Sequence, residues 1–277
     1  MEPLVSTEWL AANLGQPDLI VFDATKYLPN EGKDGAAEFL GAHIPDARYF
    51  DIDVVADQET TLPHMVPTAG RFERLMGEMG VANSSRVVFY DQKGIASSAR
   101  GWWLMGLFGH DRAAVLDGGL PKWLREARPV ESGAPAAPAP AKFQATFRAS
   151  RLRGIGDMMT PDPGRVVLDA RAAGRFHGTA PELRPGMPSG HMPGSASLPY
   201  TELLTQHGTL RPPEQLRSRF AQAGVDGSKP VVTSCGSGVT AAILTLGLVQ
   251  AGLPRGAVYD GSWTEWASRP DTIKETT

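Results

Sequence analysis

Four short apolar runs, at 19–23, 86–90, 165–169 and 230–234, punctuate the chain. They are rich in valine, isoleucine and leucine and lack the alternation of a strand with one wet face. Runs of that length without a polar face predict strands buried on both sides. Longer segments of helical character lie between and after them, at 71–79, 98–108, 214–223 and 240–250. Strands alternating with helices predict an α/β fold, each sheet mainly parallel with helices on both faces. In such sheets, sites gather where the carboxyl ends of strands meet the N-termini of helices.

The pattern occurs twice. Leu19-Ile20-Val21-Phe22-Asp23-Ala24 is answered by Val166-Val167-Leu168-Asp169-Ala170, and Gly41-Ala42-His43-Ile44-Pro45 by Ser189-Gly190-His191-Met192-Pro193. Arg86-Val87-Val88-Phe89-Tyr90-Asp91 corresponds to Pro230-Val231-Val232-Thr233-Ser234-Cys235. Leu116-Asp117-Gly118-Gly119 with Trp123 corresponds to Tyr259-Asp260-Gly261-Ser262 with Trp266. The offsets are all roughly 145 residues and keep their order, which identifies a duplicated domain. The segment Ala134-Pro135-Ala136-Ala137-Pro138-Ala139-Pro140 can form neither a helix nor a central strand, and reads as a semi-extended linker. The expected division is therefore a first domain at 1–128, a linker at 129–145 and a second domain at 146–277.

A length of 277 residues suits two domains, and 42% hydrophobic with 21% charged residues is ordinary for a chain with a sizeable core. A net charge of -3 without a basic run points away from nucleic acid and anionic membrane surfaces. The longest apolar stretch, 241–249, is about half a membrane span and reads as a buried helix. The opening residues lack the basic-then-apolar pattern of a secretory signal, so a cytoplasmic, monomeric protein is expected. The single cysteine, Cys235, excludes an intramolecular disulfide framework and any multi-thiolate metal site.

A lone cysteine is most often inert packing, so its neighbours must decide. Cys235-Gly236-Ser237-Gly238-Val239-Thr240 joins a strand to a helix. Two glycines allow successive backbone N–H groups to turn inward as an anion cradle, and the helix start adds positive potential. Both favour thiolate, the nucleophilic form, over thiol. In the first copy Asp91 occupies the cysteine's position, so that copy lacks the nucleophile. A cysteine phosphatase is the other chemistry of a strand–Cys–cradle–helix. It requires an arginine six positions on, where this chain has Ala241.

The tandem strands, the loop 235–240 and Tyr259-Asp260-Gly261-Ser262-Trp263 resemble the two-domain rhodanese family of sulfurtransferases, from about Leu4 to Ala267. The resemblance implies two tandem rhodanese-like domains, a Cys235 persulfide intermediate and no essential cofactor. Gly236 and Ser237 stand where thiosulfate-using members carry Arg and Lys, which implies the branch whose donor is 3-mercaptopyruvate and whose product is pyruvate. It further implies that Arg175 and Arg184 clamp the donor carboxylate, a task suited to the guanidinium fork. The backbone of Gly236, Gly238, Val239 and Thr240 would cradle the transferred sulfur, and Asp53, His64 and Ser237 would form a proton relay. Without the resemblance, each of these arginines reads first as surface charge and His64 as a packed or capping residue. Asp169 with Arg171 suggests a buried ion pair, while His43 and His191, present in both copies, suggest a role in the fold. Arg100 stands near the first copy's loop and is left out of the expected site. The acceptor would be a thiol, thioredoxin or cyanide. A thiosulfate-preferring enzyme and a non-enzymatic persulfide carrier remain the alternatives.

Overall fold

In the computed structural model, which describes residues 1–277 apart from the side chain of Pro29, the apolar runs become the central strands of two parallel sheets. The first half contributes β1 (Leu4–Val5), β2 (Leu19–Asp23), β3 (Arg48–Tyr49), β4 (Arg86–Tyr90) and β5 (Ala113–Leu116). The second contributes β6 (Leu152–Arg153), β7 (Val166–Asp169), β8 (Ser195–Ser197), β9 (Val231–Ser234) and β10 (Ala257–Tyr259). The strand orders are β1-β5-β4-β2-β3 and β6-β10-β9-β7-β8, the same permutation in each half. In the second half the strands start one residue later than the pattern suggested. Arg165 points its guanidinium at the carbonyls of Asp157, Met158 and Thr160, and Pro230 has no N–H for a ladder.

The expected helices form as Ala69–Glu78, Ser98–Leu107, Pro213–Gln222 and Ala241–Gln250. Two of them explain how the halves meet. All ten residues of Ser98–Leu107 are buried, as are Ala241 to Leu248, and these helices pack on each other across the junction. A helix apolar on all sides must be covered on all sides. One core cluster accordingly runs from Phe22, Phe89 and Trp103 in the first half to Ile243, Leu246 and Cys235 in the second. The opposite sheet faces are closed by Trp123 over Val21 and Val88, and by Trp263 and Trp266 over Val167 and Val232.

The duplicated histidines serve the fold. His43 stacks on Phe39 and bonds its carbonyl through Nδ1 at 2.9 Å, while its backbone pairs with Glu131. His191 repeats this with Phe176 at 3.0 Å and pairs with Glu275. Each pins the segment that follows its own sheet. The Ala/Pro-rich stretch is held along the first half: Ala141 N–H donates to Gly77 O, and Phe143 packs edge-on against Phe72. Asp169 and Arg171 form the expected buried pair, at 2.6 Å. Among the described residues no helix is long and apolar enough to cross a membrane.

Candidate active site

β9 delivers Cys235 to the carboxyl edge of the second sheet, and the chain turns at once into helix Ala241–Gln250. The side chain is almost closed off, at 2% exposure. The loop carbonyls face away from the turn. Cys235 O accepts from Trp263 N–H at 2.9 Å, Gly236 O from Thr264 N–H at 2.9 Å, and Gly238 O from Arg100 Nη1 at 3.2 Å. The N–H groups of residues 236–240 have no protein acceptor among the described residues. Outward carbonyls and free amides together make the turn electropositive, as the two-glycine loop predicted. The matching turn in the first half is already filled. There one carboxylate oxygen of Asp91 accepts N–H bonds from Ala96, Ser97 and Ser98 at 2.8–2.9 Å, and the other accepts from Lys93. The chain thus carries its own anion in one copy of the cradle and a thiol in the other.

His64 reaches this loop from the other half. Its Nδ1 lies 2.9 Å from Ser237 Oγ and its Nε2 lies 3.1 Å from Asp53 Oδ1. A neutral imidazole with its proton on Nε2 donates to Asp53 and accepts from the serine hydroxyl. The backbone of His64 is left-handed, with φ 62°, a conformation costly for a residue with a β-carbon. Arg100 holds it by donating to His64 O, and Asp260 holds the next residues by accepting Val66 N–H at 2.6 Å. Asp51 caps the short helix Ile52–Val55 and so aims Asp53. The hydrogen bond from His64, helped by Lys26 and opposed by burial, keeps the Asp53 carboxyl well below the usual carboxylate range.

Cys235, Gly236, Ser237, Val239 and Thr240 line one cavity of about 340 Å³, whose other walls include His64, Arg175 and Arg184. Arg175 comes from the short helix Ala173–Phe176, and its Nη2 would lie 3.2 Å from a β-carbon on Gly236. Glu182, whose side chain is 3% exposed, locks it in place while also pairing with Arg171. Arg184 has no acidic partner or hydrogen-bond acceptor among the described residues. It also borders a larger adjoining cleft of about 790 Å³, shared with His64, Asp53 and Lys26.

Two expected residues sit elsewhere. Asp53 lies in the outer cleft and meets the inner cavity through His64 and Lys26. Gly238 is behind the loop, where a β-carbon would stand 2.8 Å from Asp260 O and 3.1 Å from Arg100 Nη1. Its φ of 78° and this close approach give it a shaping role. Sequence reasoning also passed over Lys26, Lys93 and Arg100. Lys26 and Lys93 border the inner cavity. Both lie just beyond carboxyl ends of first-half strands, the place where the α/β rule expects a site. Arg100 had a signal too: it is the one charge in an otherwise apolar helix.

A duplicated parallel-sheet unit with its cysteine at a strand–helix turn defines the class, and the Rhodanese-like domain family matches twice, over residues 6–126 and 156–269. The chain belongs to the rhodanese family. It is 42% identical to the human 3-mercaptopyruvate sulfurtransferase, with 98% of this chain and 94% of that one covered. It is 38% identical to bovine thiosulfate sulfurtransferase, covering 97% and 94%. The crystal structure of the 3-mercaptopyruvate sulfotransferase SseA from Escherichia coli superposes with a TM-score of 0.85 at 34% identity, covering 95% of this chain and 99% of that one.

Proposed function

We propose that the protein is a 3-mercaptopyruvate sulfurtransferase in which Cys235 carries the sulfur as a persulfide. The carrying observation is the convergence of Cys235, Ser237, His64, Arg175 and Arg184 on one cavity. Arg175 and Arg184 bind the carboxylate of the keto acid, and the Cys235 thiolate attacks its sulfur. An S–S bond forms and the C–S bond breaks, leaving its electron pair on carbon as the enolate of pyruvate. The Ser237–His64–Asp53 relay moves the donor thiol's proton to that carbon. Thiolate and donor thereby give pyruvate and a Cys235 perthiolate, stabilised by the N–H groups of 236–240. A thiol, thioredoxin or cyanide then removes the outer sulfur and regenerates Cys235. The chain has no second cysteine to resolve the persulfide, so turnover is ping-pong.

The same proposal makes 146–277 the catalytic domain, which carries the cysteine, 129–145 the linker and 1–128 a domain without the nucleophile that lends His64 and Asp53 to the relay. It places the protein in the cytoplasm as a monomer. The neutral pair Gly236 and Ser237 supports the keto acid over thiosulfate, which would need cations there. The test is pyruvate release from 3-mercaptopyruvate with a thiol acceptor, alongside turnover of thiosulfate. Fast pyruvate release with little thiosulfate turnover is expected. A thiosulfate preference overturns the donor assignment, and silence with both overturns the enzyme in favour of a carrier.

A further inference from the structure

Nearly two turns beyond Arg100 along helix Ser98–Leu107, about 9 Å, two other arginines converge. A β-carbon on Gly106 would collide with Arg151 Nη1 and stand 3.4 Å from Arg255 Nη1. Both guanidinium groups border a cavity of about 250 Å³, with Trp102, His110 and Asp111 also in its wall. It shares no residue with the Cys235 cavity.

The charges around this cavity do not balance. Asp111 is held by Arg148 through bonds of 2.6 and 2.7 Å and is touched by Arg151 at 3.3 Å. One carboxylate is thus shared between two arginines. Arg255 has no acidic partner or acceptor among the described residues and lies 4.5 Å over the Trp102 ring. Arg151 Nη1 is buried without a partner, and so is Nε2 of His110, which is only 4% exposed. Burial, reinforced by the charge of Arg151, pushes Arg255 down to about 10. An uncompensated guanidinium at a half-buried junction is costly, and unmade bonds add to the cost.

We infer that this junction cavity binds a small, doubly charged oxyanion of the sulfate, sulfite or phosphate type. Three arginines against one aspartate leave an excess of two positive charges, which a dianion neutralises. Guanidinium forks match the spacing of oxyanion oxygens, and His110 offers a further polar atom. The donors come from both halves: Arg151 and Arg255 from the second, His110 from the first. A bound anion therefore clamps the junction and stabilises the folded chain by an amount that grows with the logarithm of anion concentration above its dissociation constant.

The test is thermal unfolding of the full chain in sodium sulfate, with sodium chloride at matched ionic strength as reference. A rise of about 3 °C or more at millimolar sulfate, growing thereafter with the logarithm of sulfate concentration, is expected. Arg255→Gln and Arg151→Gln should each weaken the apparent sulfate affinity at least tenfold. Arg184→Gln, in the Cys235 cavity, and Arg74→Gln, on the exposed surface, should leave it unchanged. Should Arg255→Gln fail to fold, Gly106→Ala fills the cavity floor without removing a charge and should give the same loss. A rise linear in sulfate concentration and equal in all variants would mean that sulfate acts only by exclusion from the surface, and overturns the proposal. A rise lost in Arg184→Gln but kept in Arg255→Gln overturns it as well, by placing the anion beside Cys235.

Discussion

Arg100 and Asp260 meet at 2.8 Å across the junction between the two halves, with side chains only 1% and 4% exposed. Between them they hold two loops of the site: Arg100 donates to His64 O and Gly238 O, and Asp260 accepts from Val66 N–H. The pair thus couples the relay histidine to the cysteine loop without bordering the inner cavity. Removing one partner of a buried pair leaves the other charge uncompensated, which costs about 3–5 kcal/mol. Arg100→Met is expected to lower the urea midpoint accordingly. At temperatures where it stays folded, it should lower kcat for pyruvate formation more than it raises KM.

In the proposed relay Ser237, His64 and Asp53 act in series, so their losses should not add. His64→Asn and Ser237→Ala are each expected to reduce kcat with 3-mercaptopyruvate by about 10²–10⁴. The double variant should be little worse than either single one. Steady-state kinetics of the three proteins check this, and additive losses would separate the two residues mechanistically.

The two arginines of the inner cavity should differ in what their loss does. Arg184 has no protein partner among the described residues, so Arg184→Ala is expected to reduce kcat/KM by about 10–100-fold with unchanged stability. Arg175→Ala removes a partner of Glu182 and should cost stability as well as donor affinity. Kinetics paired with denaturation midpoints distinguish them.

Asp23 and Asp169 end equivalent strands, yet only Asp169 has a cation beside it. Where the second copy has Arg171, the first has Thr25. Burial therefore lifts the Asp23 carboxyl to about 6. A group that holds its proton more tightly folded than unfolded stabilises fully below its unfolded value near 4, and that stability is lost as pH rises through 6. Wild type should lose about 3 kcal/mol from this residue across that window. Asp23→Asn should lose none of it, so the difference between the two proteins in urea titrations at pH 4 and pH 7 isolates the effect.

Asp91 anchors its turn through four backbone N–H groups. Asp91→Ala leaves buried donors unpaired and should destabilise by about 3 kcal/mol or more. Cys235→Ser, by contrast, should leave the unfolding midpoint nearly unchanged while abolishing pyruvate release.

Local pattern was enough to identify the strands β2, β4, β7 and β9, the four longest helices, the duplication and the special turn at Cys235, but not the shorter edge strands and helices. Apolar runs, helical segments and paired glycines act over a few residues, and a repeat of about 145 residues can be found by comparing the chain with itself. The pairing of Asp169 with Arg171 was legible for the same reason, since two positions separate them. The relay was different. His64 and Ser237 are 173 positions apart, and only the burial of helices Ser98–Leu107 and Ala241–Gln250 against each other brings them to 2.9 Å. The same packing moved Gly238 behind the loop, set Asp53 in the outer cleft and made Arg100 a brace. Sequence by itself determined which residues could do chemistry and on which local element each stands. Tertiary structure decided which of them meet, because the contacts that join the halves are made by non-local burial, to which no short-range pattern is tied.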